Sequence, residues 1–519
     1  MEFRGLRRPA PAPKVDAATL ARRLRGRRPP LVVDVRFPLE YRWGHVPGAI
    51  SVPLHALPRR LEELREEPPR PVVCVCLTGH RASAAVRLLH RRGLDARHLD
   101  KGMRAWWADD LPTLEGSPGP GRPVVGTPLA LGPVGGLSSP TDYRHALEAL
   151  VGVPATDGNA VDVLRNGTRA FPAMLDAVAS ARESVDLLTY VYWTGDVARR
   201  LADALAERAR AGVRVRVLLG AVGAHRMDPS LVAAMRAAGA QVDHFRRPWR
   251  PRDANHRTHR KVLVCDATVA FTGGMGIARE WEGDARSPSE WRDTHFRVRG
   301  PAVDGLRAAF FENWLEAGNM LAEESERFAP QRSAGESAVQ VVRSQPAAAG
   351  LSDGELVMRA LVRVARRRLR ISTAYFTPDG PFLRLLRDAA ARGVEVEVLI
   401  PGRHADKRMV QLTEHHDFGP LLDAGVHIAT YQRTMLHTKI VTVDDVVACV
   451  GSANVNSRSL RQDDELCLVV HDADVVGTLD RHFEEDRRFA EPVDPTRWRR
   501  RGWLPRVKER AASVFDPHM

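Results

Sequence analysis

Two stretches of this chain carry the same chemistry-bearing residues at the same spacing. His259-x-Lys261-x4-Asp266 and His437-x-Lys439-x4-Asp444 lie 178 residues apart, and Gly273 and Gly451 repeat that interval. The chain has six lysines (Lys14, Lys101, Lys261, Lys407, Lys439 and Lys508), and two of them stand in this phrase. An apolar run follows each copy, Val262-Leu263-Val264-Cys265 and Ile440-Val441-Thr442-Val443, which predicts a central strand. Residues two apart on a strand share a face, so each His projects beside its Lys. Two such strands meeting at a pseudo-twofold axis would bring two imidazoles and two ammonium groups into one pocket. That set suits a phosphodiester. One imidazole attacks phosphorus and is held as a phosphohistidine. The other protonates the leaving oxygen, then deprotonates an incoming water or alcohol. The lysines hold the non-bridging oxygens without a metal.

The elements that must position this set are themselves repeated. Tyr192-Trp193-Thr194-Gly195-Asp196 is answered by Tyr375-Phe376-Thr377-Pro378-Asp379, and Ala238-Gly239-Ala240 by Ala424-Gly425-Val426. Each half reads strand, helix, strand, helix and then the His-x-Lys strand, which implies a sheet covered by helices. The halves are expected over 141–325 and 339–490, with a tail over 491–519.

On these motifs the chain resembles the phospholipase D superfamily, and within it the bacterial cardiolipin synthase branch. Further residues carrying the resemblance include Asn166-Gly167, Trp291-Arg292-Asp293-Thr294-His295, and Gly451-Ser452-Ala453-Asn454 with Arg458-Ser459. The resemblance implies His259 as nucleophile and His437 as acid/base, with exchanged roles equally open. It implies Lys261, Lys439 and Asn454 as phosphate ligands, and Asp293 and Glu465 as the carboxylates that orient the histidines. Asp266 and Asp444 complete the catalytic phrase, and Gly273, Gly274, Gly451 and Ser452 are expected to border the substrate. Gly276 stands where the family pattern has an Asn donor in the first half.

The first 113 residues carry different chemistry. Cys76 follows an apolar strand and precedes a helix that opens near Arg81, where backbone N–H groups and a helix N-terminus would stabilise a persulfide. With Asp34-Val35-Arg36, Glu40, Gly44-His45-Val46-Pro47-Gly48 and Gly102-Met103-Arg104-Ala105-Trp106, this segment resembles the rhodanese family. The resemblance implies a sulfurtransferase fold, Cys76 as sulfur carrier, Arg81 closing its loop, and a small sulfur donor as partner. Cys74 is read as a core residue on the opposite face of its strand. A Gly/Pro-rich linker is expected over 114–140.

The fold class expected is α/β: a rhodanese-like parallel domain, then a duplicated phospholipase D-type sandwich with pseudo-twofold symmetry. At 519 residues, with 44% hydrophobic and 27% charged, the composition is that of a globular protein without an 18-residue apolar span or a secretory leader. A cytoplasmic location is expected, peripheral on the inner membrane face. The net charge of +13 suits an anionic membrane surface and phospholipid substrate; nucleic acid is the less favoured partner. A general arginine bias of composition explains that charge equally well. The tail around Trp498 and Trp503 reads as a basic amphipathic helix, set either on a bilayer or on the protein's own surface. Tyr190, Tyr192 and Trp193 are read as core. Glu414-His415-His416-Asp417 is declined as a metal site because adjacent side chains diverge on a helix. No cofactor and no metal are implied.

Overall fold

The computed structural model describes residues 12–26, 28–36, 41, 44–54, 56–61, 64, 70–77, 80–109, 111–114, 137–245, 257–320, 330–346 and 351–501. Glu40, Thr78, Gly79, His256, the linker over 115–136 and the tail beyond 501 lie outside these residues, as does the side chain of His416. The chain divides into two compact units, Met1–Ala130 and Leu131–Met519.

The first unit is a five-stranded parallel sheet in the spatial order Lys14–Val15, Ala96–Leu99, Val72–Val75, Leu31–Asp34, Ile50–Ser51. Its central strands read as unbroken apolar runs because helices cover both faces, among them Ala17–Leu24 and His80–Arg91. Cys76 lies just past the strand Val72–Val75, and its Sγ accepts the Ala82 N–H at 3.3 Å. Cys74 is core, but on the same side as Cys76, since both pack in the cluster containing Val33, Val35 and Val86. The expected opposite placement fails because residues two apart on a strand share a face. Burial pushes the Cys74 thiol up. Gly102 approaches Cys76 so closely that a Cβ there would stand 2.0 Å from the Cys76 carbonyl oxygen.

In the second unit the repeat becomes one continuous sheet. The first half orders its strands Thr156–Arg165, Thr294–Arg299, Val269–Gly273, Val262–Cys265, Ser184–Thr189, Arg214–Gly220, Gln241–Phe245. The second half repeats that order as Ser337–Ser344, Glu465–His471, Val447–Gly451, Lys439–Val443, Arg368–Thr373, Glu395–Pro401, His427–Tyr431. The sheets join where Ser337–Ser344 runs antiparallel to Thr156–Arg165. A pseudo-twofold relation therefore passes near that seam. Helices Ala302–Glu316 and Ala473–Arg487 cover one shared face, where Phe310, Val339, Leu468 and Leu479 form a core drawn from both halves. Separate cores on the other face belong to each half.

One segment changes sides. Helix Pro140–Val151, counted with the first half in sequence, buries Tyr143, Leu147 and Val151 in the second half's core. Their spacing of four forms an apolar stripe, but periodicity cannot name the partner surface.

Asp266 and Asp444 sit at the far ends of the His-x-Lys strands. Asp266 accepts the backbone N–H groups of Arg182, Glu183 and Ser184, at 2.7 to 3.1 Å. Asp444 accepts those of Arg366, Arg367 and Arg368 at 2.6 to 2.7 Å, and the Tyr143 hydroxyl at 2.7 Å. Both begin tight turns with positive φ, 50° and 54°. Seven residues of extended chain place them about 20 Å from their histidines. They anchor strands and do not reach the chemistry, which corrects their expected catalytic place.

Candidate active site

The strand ends opposite those turns bring His259, Lys261, His437 and Lys439 together. Backbone pairing between halves sets the approach. Thr258 bridges Asp464 in parallel, with His259 N–H donating to Asp464 O at 2.8 Å. Leu436 bridges Arg292 in the same way, with His437 N–H donating to Arg292 O at 2.7 Å. The residue after each bridge partner is a carboxylate, so the orienting contacts cross the pseudo-twofold. His259 Nδ1 meets Glu465 Oε1 at 2.9 Å, and His437 Nδ1 meets Asp293 Oδ2 at 2.8 Å. Each half supplies a histidine and the other half supplies its carboxylate.

Burial pushes both imidazoles down, His259 against Glu465's pull and His437 with help from Lys439, each to about 4. Both are therefore neutral near pH 7. A buried neutral imidazole facing an ionised carboxylate puts its proton on Nδ1 and leaves Nε2 as a lone pair. Burial alone would raise Asp293 and Glu465, but the histidine contacts and nearby lysines carry both below the usual carboxylate range. The lysine ammonium groups donate to the carbonyls of their own histidines, Lys261 to His259 O and Lys439 to His437 O, each at 2.7 Å. Burial lowers Lys261 to about 7 and Lys439 to about 8. An anion placed against them would favour their charged forms.

The two halves hold their carboxylates by different means. Glu465 receives the hydroxyls of Ser452 and Ser459. Asp293 receives Trp281 Nε1–H at 2.9 Å and the Thr294 N–H at 2.8 Å. Trp281 and Ser459 are themselves 178 residues apart, so the same register position supplies an indole in one half and a hydroxyl in the other. Ser452 thus serves Glu465, which corrects its expected place at the substrate. Its counterpart Gly274 has no room for a side chain, because a Cβ would stand 2.3 Å from Asp293 Oδ1. Gly273 and Gly451 are likewise close-approach positions, a Cβ meeting His295 Nδ1 at 2.7 Å and Leu466 O at 2.1 Å. They let strands meet.

Asn454 is 3% exposed, its Oδ1 is without a partner, and no hydrogen bond of its side chain is made within the described residues. In the first half Gly276 leaves no vacancy for the missing amide. A Cβ there would lie 2.7 Å from Val191 Cβ and 3.2 Å from Trp281 Cη2. The space is filled by apolar packing.

Aromatic rings frame the pocket. Tyr190, read from sequence as core, stands edge-on to His259 at 5.2 Å with Lys261 Nζ 5.8 Å from its ring; Tyr192 is the core residue, fully buried. Trp281 and Trp291 each lie 5.2 Å from His437, and Tyr375 at 6.4 Å. Tyr375 donates its hydroxyl to Asp406 at 2.8 Å and carries Lys407 Nζ over its ring at 4.8 Å. Sequence reasoning missed Trp281, although its 178-residue match to Ser459 was a usable signal. Elsewhere, Glu414 accepts the Phe376 N–H at 2.8 Å, and His415 packs edge-on against Phe418 and Trp498. Trp498 therefore lies on the unit's own helix Arg408–Asp423.

This pairing of two His-x-Lys strands with crossed carboxylates defines a phospholipase D-like protein. Residues 174–281 and 358–487 match the family described as cardiolipin synthase, PLD-like domain, and residues 16–109 match the rhodanese-like domain. Cardiolipin synthase A of Pseudomonas aeruginosa is 34% identical over 76% of this chain and 80% of its own. Cardiolipin synthase 1 of Bacillus cereus is 31% identical over 72% of this chain and 75% of its own. The fold is also like that of phosphatidylserine synthase from Haemophilus influenzae Rd KW20, which covers 73% of this chain and 100% of that one at 13% identity, TM-score 0.57. The chain belongs to the cardiolipin synthase family, and its N-terminal unit is a rhodanese-like domain.

Proposed function

We propose that the second unit transfers phosphatidyl groups between phospholipid headgroups through a phosphohistidine, as its cardiolipin synthase relatives' names imply for them. The observation that carries this reading is the pair of neutral imidazoles, each held at Nδ1 by a carboxylate from the other half. His259 is the nucleophile because its side chain is the more exposed, 16% against 7% for His437. Its Nε2 attacks phosphorus, forming an N–P bond as the P–O bond to the headgroup alcohol breaks. His437, which takes up a proton as the phosphodiester anion binds beside it, gives that proton to the alkoxide. It then takes a proton from the acceptor hydroxyl, whose oxygen displaces His259. Lys261, Lys439 and Asn454 hold the non-bridging oxygens as charge gathers there.

Vesicles of labelled phosphatidylglycerol test the assignment. Wild type should release glycerol and form a product carrying two phosphatidyl groups, while His259→Ala should form none. Equal activity in the variant, or turnover of plasmid DNA in place of lipid, overturns it. For the first unit we propose that Cys76 carries sulfur from a small donor, with Arg81 at the loop's end. Thiosulfate-to-cyanide transfer surviving Cys76→Ser would remove that role. Among the described residues no helix is long and apolar enough to cross a membrane. With a substrate that lies in a bilayer and a charge of +13, we place the protein peripherally on the cytoplasmic membrane face. Membrane association that resists a high-salt wash argues against that placement.

A further inference from the structure

A large cavity in the second unit lies apart from the catalytic pocket. It has a volume of about 840 Å³ and is lined from both halves, and none of the catalytic histidines or lysines borders it. Six arginines do: Arg165, Arg169, Arg286, Arg292, Arg433 and Arg488. Three carboxylates on the same wall hold three of them. Asp486 takes Arg165 at 2.9 Å and Arg292 at 2.8 Å, Glu485 also takes Arg165, and Asp284 takes Arg286 at 3.2 Å. Arg169, Arg433 and Arg488 have no ion pair among the described residues. They come from three separate elements: helix Gly167–Ser180, the stretch after strand His427–Tyr431, and the C-cap of helix Ala473–Arg487. Arg433 is steadied by stacking on Phe489 at 4.6 Å.

The wall thus sets six guanidinium groups against three carboxylates, an excess of positive charge around one concavity that a bound anion would offset. Guanidinium forks match phosphate oxygens in pairs, and the volume is that of a small-ligand site. The concavity favours a compact ligand over a polymer backbone. We propose that this cavity is a second anion site, taking a phosphate-bearing ligand apart from the catalytic histidines. The ligand is either a free phosphate compound or the headgroup of an anionic phospholipid. Its wall includes Arg292 and Asn166, which also hold Asp293 from behind: Arg292 Nη1 donates to Asp293 O at 2.7 Å, and Asp293 N–H donates to Asn166 Oδ1 at 3.3 Å. The site thus adjoins the support of His437.

The test uses the full chain and the triple variant Arg169→Ala/Arg433→Ala/Arg488→Ala. Arg199→Ala/Arg210→Ala/Arg387→Ala, which removes the same charge from exposed positions elsewhere, serves as control. Equilibrium dialysis with labelled inorganic phosphate counts bound equivalents, and co-sedimentation with phosphatidylglycerol/phosphatidylcholine vesicles reads headgroup binding. The cavity variant should lose one phosphate equivalent, or bind vesicles at least about tenfold more weakly, while the control matches wild type. Loss in the dialysis arm identifies a soluble ligand, and loss with vesicles alone identifies a headgroup. Wild-type behaviour of the cavity variant in both arms overturns the proposal, as does an equal loss in the control. A milder Arg433→Lys/Arg488→Lys variant, which keeps the charge, should recover part of the binding. The transfer reading fails separately, through His259→Ala, without touching this result.

Discussion

Asp293→Asn and Glu465→Gln are the same chemical change at pseudo-equivalent positions, yet the structure predicts unequal consequences. Asp293 Oδ2 accepts from both His437 Nδ1–H and Trp281 Nε1–H, and Oδ1 accepts from the Thr294 N–H. All three partners donate, and the indole and backbone donors cannot reverse. An amide must therefore point its NH2 at an N–H, whichever way it is turned. The buried mismatch costs about 1–3 kcal/mol. If the NH2 faces His437, the imidazole accepts at Nδ1 and carries its proton on Nε2, where it cannot act as base. Rate losses of about 10⁴ attend the same tautomer change in the serine-protease triad. Glu465 differs because hydroxyls rotate. Ser452 Oγ already accepts the Leu466 N–H at 3.0 Å, can accept a glutamine NH2 as well, and has Leu466 O at 3.4 Å for its own proton. The glutamine carbonyl then stays on His259 Nδ1–H, and the cost is mainly that of a charged acceptor becoming neutral, about 1–1.5 kcal/mol or roughly tenfold in rate. Single-turnover phosphatidyl transfer and urea unfolding on both variants decide it. We expect Asp293→Asn to be about 10³–10⁴ slower and less stable, and Glu465→Gln about tenfold slower with a near-native midpoint. Equal losses in the two variants, or an Asp293→Asn protein within tenfold of wild type, would refute the reasoning.

Restoring the absent amide by Gly276→Asn should lower stability by about 1–3 kcal/mol without raising activity, since Val191 and Trp281 fill the space. A gain in transfer rate would show that the space yields. Asp266→Asn and Asp444→Asn should each lower the unfolding free energy by at least about 2 kcal/mol while leaving the rate per folded molecule within a fewfold of wild type. A loss of kcat in fully folded protein would return these residues to the chemistry. His259 and His437 fold with proton affinities lowered to about 4 from 6.5, so below pH 6.5 the unfolded chain binds the more protons. Stability is then fully present above about 6.5 and falls as pH drops toward 4, which urea midpoints at pH 7 and pH 5 would reveal. Because the phosphodiester anion offsets the lysines, binding a non-hydrolysable analogue should draw in protons. Calorimetry in buffers of different ionisation heat reads that uptake, and a zero value contradicts it.

The doubled phrase and its fixed interval were enough to expect two halves, a shared pocket and the four residues His259, Lys261, His437 and Lys439. Those features follow from strand periodicity and from duplication, which are local properties of sequence. Asp266 and Asp444 carried the same repeat signal yet lie at the opposite strand ends, because a repeated residue need only be needed twice, whether for chemistry or for a turn. Ser452 and the glycines failed for a related reason: close packing and carboxylate support leave the same mark as ligand contact. The crossing of Glu465 to His259 and Asp293 to His437 exists only once the halves meet, since each contact spans more than 140 residues. So does the docking of helix Pro140–Val151 on the second half. Residue type and spacing thus name the groups that would do the chemistry and the number of copies. Packing of the folded chain assigns each carboxylate to its imidazole and makes the halves unequal through Trp281 and Ser459. It also sets six arginines against three carboxylates around one cavity. Those outcomes depend on distances between elements remote in the chain, which a sequence encodes through packing and not through spacing.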